Sequence, residues 1–312
     1  MKIVVLAFNY ARAGKFVNGP GICLDNFFKI LKQAGFTPSI FTYLKTDEAF
    51  SIQDKATCLQ EIKKSDLVIH WSGLVQPIMD MVSFASQIEK RIWLGSNLID
   101  TVEFEKETGY LKSVNFSKIL TVNHHLKFLI SKRHQIPLNK IKVLMVGPDL
   151  KLWQPSPERD NTILWKGNSK HFVKDVSFAL ELQNKLPKYK FKFIGHPNPY
   201  HYFDHIAEAK KSKIYITTSL SETMGATLIE SWASGLPSVS HPKVYLHGIN
   251  YQTGIITNKN FQDYIEAIQL LMEDSNLYLN LSEGAQNFVE QNFSGSKILE
   301  NFLQILEEPD DG

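Results

Sequence analysis

Residues 219–237, SLSETMGATLIESWASGLP, constrain the fold more than any other stretch of the chain. They follow the apolar, β-branched run 214–218 (IYITT), a pattern typical of a buried parallel strand. They then enter a helix that ends at Gly235 and is stopped by Pro237. A buried strand, a loop and a helix in this order predict a parallel α/β sheet. The loop follows the carboxyl end of the strand, where open α/β sheets bind ligands.

Two carboxylates flank the start of the predicted helix: Glu222 in the loop and Glu230 within the helix. Gly225 and Ala226 have no bulk to cover the unpaired N–H groups of the first turn, and Thr227 adds a hydroxyl. A diphosphate could lie on this helix end, with hydroxyls at opposite ends of the ligand donating to the two carboxylates. The alternative is that both glutamates are surface charges. The predicted donor-binding residues here are Thr223, Met224, Gly225, Ala226, Thr227 and Glu230.

The same stretch resembles the E-x7-E signature of family 4 of the retaining, GT-B-fold glycosyltransferases, also called glycosyl transferases group 1. The matched pattern is S-x-x-E-x-x-G-x-x-x-x-E-x-x-A-x-G-x-P, with Ser219, Ala233 and Gly235 also in place. The resemblance implies an α/β GT-B fold, in which two Rossmann-like domains face each other across a cleft and a C-terminal helix crosses back to the first domain. It also implies that Glu222 lies near the donor sugar and Glu230 holds the nucleotide ribose.

The length of 312 residues exceeds the usual size of a single core and predicts two domains. A polar, proline-rich linker at 155–161 (PSPERDN) is a credible boundary. We therefore expect an acceptor-side domain at 1–152 and a nucleotide-sugar domain at 153–292. The resemblance assigns 293–312 to the helix that packs back on the first domain.

Composition and cysteine use predict an ordinary soluble protein. The chain is 43% hydrophobic and 21% charged, and Cys23 and Cys58 are too few for a disulfide framework or a zinc cluster. The N-terminal MKIVVLAF is a buried-strand pattern without a cleavage site, so it does not predict a signal peptide. The expected location is cytoplasmic, with peripheral binding at the inner membrane surface as a further possibility.

The net charge of +2 hides an asymmetry between the halves of the chain. Residues 1–149 carry 19 Lys and Arg against 13 Asp and Glu, whereas the remainder carries 15 against 19. A basic first half favours an anionic acceptor, such as a lipid-linked glycan, or contact with a membrane surface or nucleic acid. An ordinary solvated face explains the same charges equally well. The oligomeric state cannot be read from the sequence.

Glycines precede the first helix of the chain. Strand 2–8 is followed by a loop at 9–21 that contains Gly19 and Gly21. The spacing lacks the full G-x-G-x-x-G of a dinucleotide site. The resemblance implies that these two glycines form a turn that faces the cleft.

Polar residues end two further strands of the first half. His70 closes strand 66–71 and Ser72 follows it; such a histidine could bind substrate, donate a proton or be structural. Strand 91–94 is followed by Ser96 and Asn97, where family members often carry a histidine that contacts the donor. Serine and asparagine can still donate and accept hydrogen bonds there.

The second half begins with strand 162–166, after which Gly167 and Asn168 stand where the family has Gly-Arg. In the family this arginine and a following lysine neutralise the donor diphosphate. The lysine here is Lys174 or Lys170, and a point charge suits phosphate well. Between strands 189–194 and 214–218 the domain is one βα unit shorter than usual. The residues predicted to replace the missing base contacts are Gly195 and His196.

The resemblance, taken with these features, implies a retaining, metal-independent transfer of a sugar from a UDP- or GDP-linked donor, without a cofactor. No D-x-D motif argues for a metal. Three alternatives remain: a phage-type nucleic-acid glycosyltransferase, a GT-B epimerase or phosphorylase, and a non-catalytic sugar-nucleotide-binding protein. The residues predicted to act in catalysis are Glu222, Lys174 and His70.

Overall fold

The computed structural model describes most of the chain, in two compact units. The described residues are 1–8, 19–44, 49–72, 74–95, 104–198, 201–222, 224–244 and 252–310. The predicted site residues Thr223, Ser96 and Asn97 lie outside them. The first unit comprises Met1–Arg12, Pro20–Val146 and Gly295–Gly312, and the second comprises Ala13–Gly19 and Gly147–Ser294.

The first unit contains a parallel sheet of seven strands among the described residues, in the order β3-β2-β1-β4-β5-β6-β7. The strands are β1 (Lys2–Ala7), β2 (Thr37–Thr42), β3 (Phe50–Ser51), β4 (Leu67–His70), β5 (Arg91–Gly95), β6 (Lys118–Thr121) and β7 (Ile141–Val143). The helices are α1 (Gly19–Gln33), α2 (Lys55–Lys64), α3 (Gln76–Gln87), α4 (Phe104–Ser113), α5 (His124–His134) and the C-terminal α11 (Gly295–Glu307).

The second unit contains a parallel sheet of five strands among the described residues, in the order β12-β11-β10-β8-β9. The strands are β8 (Thr162–Lys166), β9 (Lys190–Ile194), β10 (Ile214–Ile216), β11 (Ser238–Ser240) and β12 (Gly254–Ile256). The helices are α6 (Val176–Lys185), α7 (Tyr202–Lys211), α8 (Ala226–Ala233), α9 (Phe261–Glu273) and α10 (Ser275–Phe293). The predicted α/β class is confirmed. The connection from β9 to β10 contains α7 but no additional strand within the described residues.

The near-continuous apolar strands are explained by burial on both faces. Residues Ile3 to Ala7 of β1 are at most 2% exposed, and β8 is buried along its whole length. A parallel sheet has helices on both faces, so its strands need apolar side chains on both sides. This requirement makes Lys166, a charged residue at the buried end of β8, unusual.

Helix α11 is fixed to the first unit by aromatic packing and by cations at its C-terminal end. Phe302 is fully buried, and its ring centroid lies 5.4 Å from that of Phe27 and 5.6 Å from that of Trp93. The Nζ of Lys118 donates to the carbonyl oxygens of Ile305 at 2.7 Å and Glu308 at 2.6 Å. The last carbonyls of a helix lack intrahelical partners and carry partial negative charge, so this lysine both pairs and neutralises them.

Lys118→Met should destabilise the protein by about 2–4 kcal/mol, because it leaves the buried carbonyl oxygen of Ile305 without its side-chain donor. Urea unfolding of the variant and wild type measures the difference. Lys112→Met, which removes an exposed lysine of the same unit, is the control and should change the free energy of unfolding by less than about 0.5 kcal/mol. Equal effects of the two variants would contradict the anchoring role of Lys118.

Candidate functional site

Hydrogen bonds tie the loop that follows β10 to the segment that follows β8. The backbone N–H of Leu220 donates to the carbonyl oxygen of Val173 at 2.7 Å. The hydroxyl of Thr218 lies 2.9 Å from the carbonyl oxygen of Lys174 and accepts a hydrogen bond from the indole N–H of Trp165 at 2.9 Å. Both segments leave the carboxyl edge of the same sheet, so these contacts fix the position of Lys174 relative to the loop.

Lys174 and Glu222, two of the three predicted catalytic residues, form an ion pair through Nζ and Oε1. The hydroxyl of Ser219 donates to the same carboxylate oxygen at 2.6 Å. Gly167 makes room for this arrangement, because a Cβ there would lie 3.1 Å from Cγ of Lys174 and 2.8 Å from the ring of Trp165. The side chains of Lys174 and Glu222 are 24% and 14% exposed, so both are partly accessible to solvent.

The N-cap of helix α8 lies three residues after Glu222 and is a glycine in the left-handed region. Gly225 has a φ of +63° and is the N-cap, and its carbonyl oxygen accepts from the N–H of Leu228 at 2.8 Å. No side chain within the described residues caps this end. Ala226 and Thr227 are half-buried, and the hydroxyl of Thr227 lies 3.1 Å from that of Tyr215. The first-turn N–H groups of α8 are therefore suited to bind an anion.

The second glutamate of the motif lies in a buried polar cluster. Glu230 is 1% exposed; Lys166 donates to its Oε2 at 2.9 Å, Tyr202 donates to its Oε1 at 3.1 Å, and Nδ1 of His205 lies 3.3 Å from Oε2. Burial raises the pKa of the Glu230 carboxyl, and the charge of Lys166 and the hydrogen bonds from Lys166 and Tyr202 oppose that increase. Lys166, Tyr202 and His205 were missed by the sequence prediction.

Burial of His205 makes stability depend on pH. Its side chain is fully buried and desolvation holds its pKa well below 6.5, with repulsion from Lys166 adding to the effect. Below about pH 6.5 the unfolded chain therefore binds a proton that the folded chain does not, so stability falls as the pH decreases.

We expect the free energy of unfolding to decrease between about pH 7.5 and about pH 5, and to decrease less in His205→Gln than in wild type. Urea unfolding at the two pH values provides the measurement. His171→Gln, at an exposed position of the same unit, should keep the wild-type pH dependence. A His205→Gln protein with unchanged pH dependence would contradict this account.

The other predicted residues of the second unit lie near the same sheet edge. Asn168 Oδ1 accepts from the backbone N–H of Lys170 at 3.1 Å, and both residues are exposed. Gly195 has a φ of +88°, which favours glycine, and its carbonyl oxygen accepts a hydrogen bond from the N–H of Ser169 at 3.2 Å. His196 is half-buried, and Met224 is 9% exposed.

The predicted residues of the first half of the chain differ more from expectation. Gly19 and Gly21 belong to the first turn of α1 and not to the loop predicted before it, because Pro20 fits a first turn, where its missing N–H costs no hydrogen bond. His70 is fully buried with its Nδ1 2.8 Å from the hydroxyl of Tyr110, which favours the structural interpretation of this histidine. Ser72 is 8% exposed, and its hydroxyl accepts from the N–H of Phe8 at 3.3 Å.

The described residues contain neither a cluster suited to a metal ion nor a helix suited to span a membrane. No group of three or more His, Cys, Asp or Glu side chains is arranged to hold a metal ion in these parts of the chain. No helix among them has both the length and the hydropathy needed to cross a bilayer.

The family of the chain follows from its sequence match. Residues 125–288, just over half of the chain, match the glycosyl transferases group 1 family, and they include the Lys174–Glu222 pair and all of α8. The chain belongs to this family and is therefore a glycosyltransferase. No curated protein matches the sequence significantly.

Solved structures with the same fold extend the comparison to the whole chain. A glycosyltransferase from Rickettsia africae ESF-5 is 17% identical with a TM-score of 0.73, over 99% of this chain and 100% of that one. HepE from Anabaena in complex with UDP-glucose is 15% identical with a TM-score of 0.72, over 98% and 99%. Sucrose-phosphate synthase from Thermosynechococcus elongatus is 11% identical with a TM-score of 0.71, over 98% of each chain. At these identities the likeness shows the GT-B fold alone.

Proposed function

We propose that this glycosyltransferase moves a sugar from a nucleotide-diphosphate sugar, most simply a UDP-sugar, to an acceptor with retention of configuration and without a metal ion. The observation that carries the proposal is the Lys174–Glu222 pair, in which Glu222 lies three residues before Gly225, the N-cap of α8, an end that no described side chain caps. The diphosphate of a nucleotide sugar needs positive charge at its binding site, and the sugar hydroxyls need hydrogen-bond acceptors. Lysine and helix N–H groups provide the first, and a carboxylate provides the second.

In this proposal the ion pair separates when the donor binds. Without donor, the charge of Lys174 is neutralised by Glu222. A diphosphate carries more negative charge than one carboxylate, so it competes successfully for Lys174 and leaves Glu222 to accept hydrogen bonds from the sugar. The N–H groups of Ala226 and Thr227 complete the diphosphate site from the end of the helix dipole.

The charge that develops on the leaving diphosphate is then stabilised by Lys174 and the α8 N–H groups. Transfer breaks the bond between the sugar C1 and the diphosphate oxygen and forms a bond from C1 to the acceptor oxygen on the same face. The acceptor proton leaves with the nucleoside diphosphate. Because the Lys174 ammonium and the α8 N–H groups are already directed at this developing negative charge, they lower the barrier to transfer. They supply the positive charge that a metal ion would otherwise provide. Retention itself rests on the E-x7-E resemblance.

The residues of the proposed donor site are included for different reasons. Gly167 is included because it admits the stem of Lys174, and Asn168, Lys170, Gly195 and His196 because they lie near the same sheet edge. The ribose contact implied for Glu230 stays a prediction, because both carboxylate oxygens already have partners. HepE, whose structure holds UDP-glucose, supports UDP as the first nucleotide to test. An anionic acceptor, such as a lipid-linked glycan, is proposed from the basic first half of the chain.

A thermal-shift panel of UDP-, GDP-, ADP- and CDP-sugars tests the donor assignment. A ligand that binds the folded state at about 100 times its Kd stabilises by about 2.7 kcal/mol, which raises the Tm measurably. We expect a UDP- or GDP-sugar to do so. If none of the four raises the Tm, the donor assignment is wrong. NMR of the product at C1 tests retention, which an inverted anomer would contradict.

EDTA should leave the initial transfer rate within about twofold of the untreated rate, because Lys174 and the α8 N–H groups supply the positive charge. Rates are compared before and after chelation and dialysis. A loss of activity that added Mn²⁺ or Mg²⁺ restores would contradict the metal-independent part of the proposal.

A further inference from the structure

The end of β8 places a lysine in the interior of the second unit. Lys166 is 6% exposed, and its Nζ lies 2.9 Å from Oε2 of Glu230, which is 1% exposed. A buried charge is costly unless it is paired, so each residue requires the other. Lys166 is not part of the E-x7-E pattern. Because burying its charge costs free energy, we expect this lysine to have a role other than packing.

The position of Glu230 on α8 indicates the role of Lys166. It lies five residues after the N-cap Gly225, which corresponds to roughly 7 Å along the helix at about 1.5 Å per residue. The proposed diphosphate site is at that end of the helix. An uncompensated carboxylate at this distance, in a partly buried environment, would repel a diphosphate and offset the favourable helix dipole.

Lys166 is the cation that compensates this carboxylate. Desolvation keeps His205 neutral near pH 7, since its pKa lies well below the ordinary value, and Tyr202 acts as a hydrogen-bond donor. Among the described residues that contact the Glu230 carboxylate, Lys166 therefore supplies the positive charge.

Tyr202 and Trp153 fix the geometry of the same carboxylate. The indole N–H of Trp153 donates to the hydroxyl of Tyr202 at 3.1 Å, and an indole can only donate. The hydroxyl hydrogen of Tyr202 is thus directed to Glu230 Oε1, at 3.1 Å. Lys166 from β8 and Tyr202 from α7 together hold the first two turns of α8 in place.

We propose that Lys166 is a positioning residue of the donor site, which acts through Glu230 by neutralising its carboxylate and keeping the N-terminal end of α8 favourable for a diphosphate. The inference rests on the proposed function, because it needs the diphosphate to bind at that end. It assigns a role to a residue that does not itself touch the donor.

A double-mutant cycle with UDP as the probe tests the inference. Calorimetric titration at about pH 9, which favours the ionised carboxylate of Glu230 although burial raises its pKa, should show UDP binding weakened about tenfold in Lys166→Met, since an unpaired carboxylate then lies near the diphosphate. The double variant Lys166→Met/Glu230→Gln should bind UDP more tightly than Lys166→Met and within about threefold of Glu230→Gln alone, because no carboxylate then remains to repel the diphosphate. Lys192→Met, which removes a lysine on the neighbouring strand whose side chain is 41% exposed, should stay within about twofold of wild type.

Uridine, which lacks the diphosphate, separates the charge effect from a distorted fold. Its affinity in Lys166→Met should equal that in wild type within about twofold, whereas a misfolded site would weaken uridine and UDP alike. A double variant that binds UDP as poorly as Lys166→Met, or a Lys166→Met protein that binds UDP normally, would overturn the inference while leaving the proposed function intact. If the wild-type protein does not bind UDP, both the UDP-donor proposal and this inference are wrong.

Discussion

Lys174→Met should lower kcat/KM for the nucleotide sugar by about 100- to 1,000-fold, the range seen when one preorganised stabiliser of developing charge is removed. Lys174 supplies the cation that pairs with Glu222, three residues before the N-cap of α8. Its removal leaves the helix N–H groups to stabilise the departing diphosphate without the lysine. Initial rates with the donor selected by the thermal-shift panel provide the measurement.

Lys170→Met is the matched control, because it removes a lysine four residues away in the same segment. Lys170 is exposed, and its backbone forms a turn with Asn168. We expect this variant to lose less than about fivefold in kcat/KM. A greater loss in Lys170→Met than in Lys174→Met would show that Lys170, and not Lys174, is the lysine that neutralises the donor diphosphate.

Glu222→Gln should separate transfer from nucleotide binding. The rate of transfer should fall by about 100-fold or more, because an amide is a weaker acceptor for sugar hydroxyls than a carboxylate. UDP should bind as tightly as to wild type or more tightly, since Lys174 no longer has a carboxylate as its competing partner. Initial rates and calorimetric titration with UDP measure the two effects.

Glu266→Gln provides the control, because Glu266 is an exposed helix residue of the same unit. It should change both the rate and the UDP affinity by less than about twofold. A Glu222→Gln protein in which UDP binding and transfer are lost in parallel would contradict the exchange of partners by Lys174. It would show instead that the carboxylate supports the nucleotide site as a whole.

Local sequence patterns were sufficient for the fold class and for the location of the motif helix. The run 214–218 predicted a strand, which the structure has at Ile214–Ile216, and the glycine that ends the helix has a φ of +74° at Gly235. Apolar periodicity and helix stop signals depend on neighbouring residues, so they can be read from the chain directly. The α/β class follows from the alternation of such elements and is confirmed.

Features that depend on distant residues could not be predicted. Lys166 and Glu230 are 64 positions apart, and the run TILWK looks like any strand that ends in a solvated lysine. Their pairing depends on β8 and α8 being brought together, with Tyr202 added from α7. The burial of His70 against Tyr110 is hidden in the same way, because the pattern of one strand does not reveal what covers its end.

The start of α1 is a different case, because the signal was present in the sequence. The two glycines, Gly19 and Gly21, favour a loop at 9–21 that ends just before the helix. Proline in a first helical turn is equally typical, and the structure begins α1 at Gly19. The two glycines and the proline favour different starts for α1, and the start predicted from the glycines was wrong.

A crystal structure of the wild-type protein with UDP tests the central claim most directly. The account predicts the diphosphate within hydrogen-bond distance of the backbone nitrogen of Ala226 or Thr227, with Nζ of Lys174 on a phosphate oxygen and no longer on Glu222. A diphosphate bound away from the end of α8, with the Lys174–Glu222 pair intact, would contradict it.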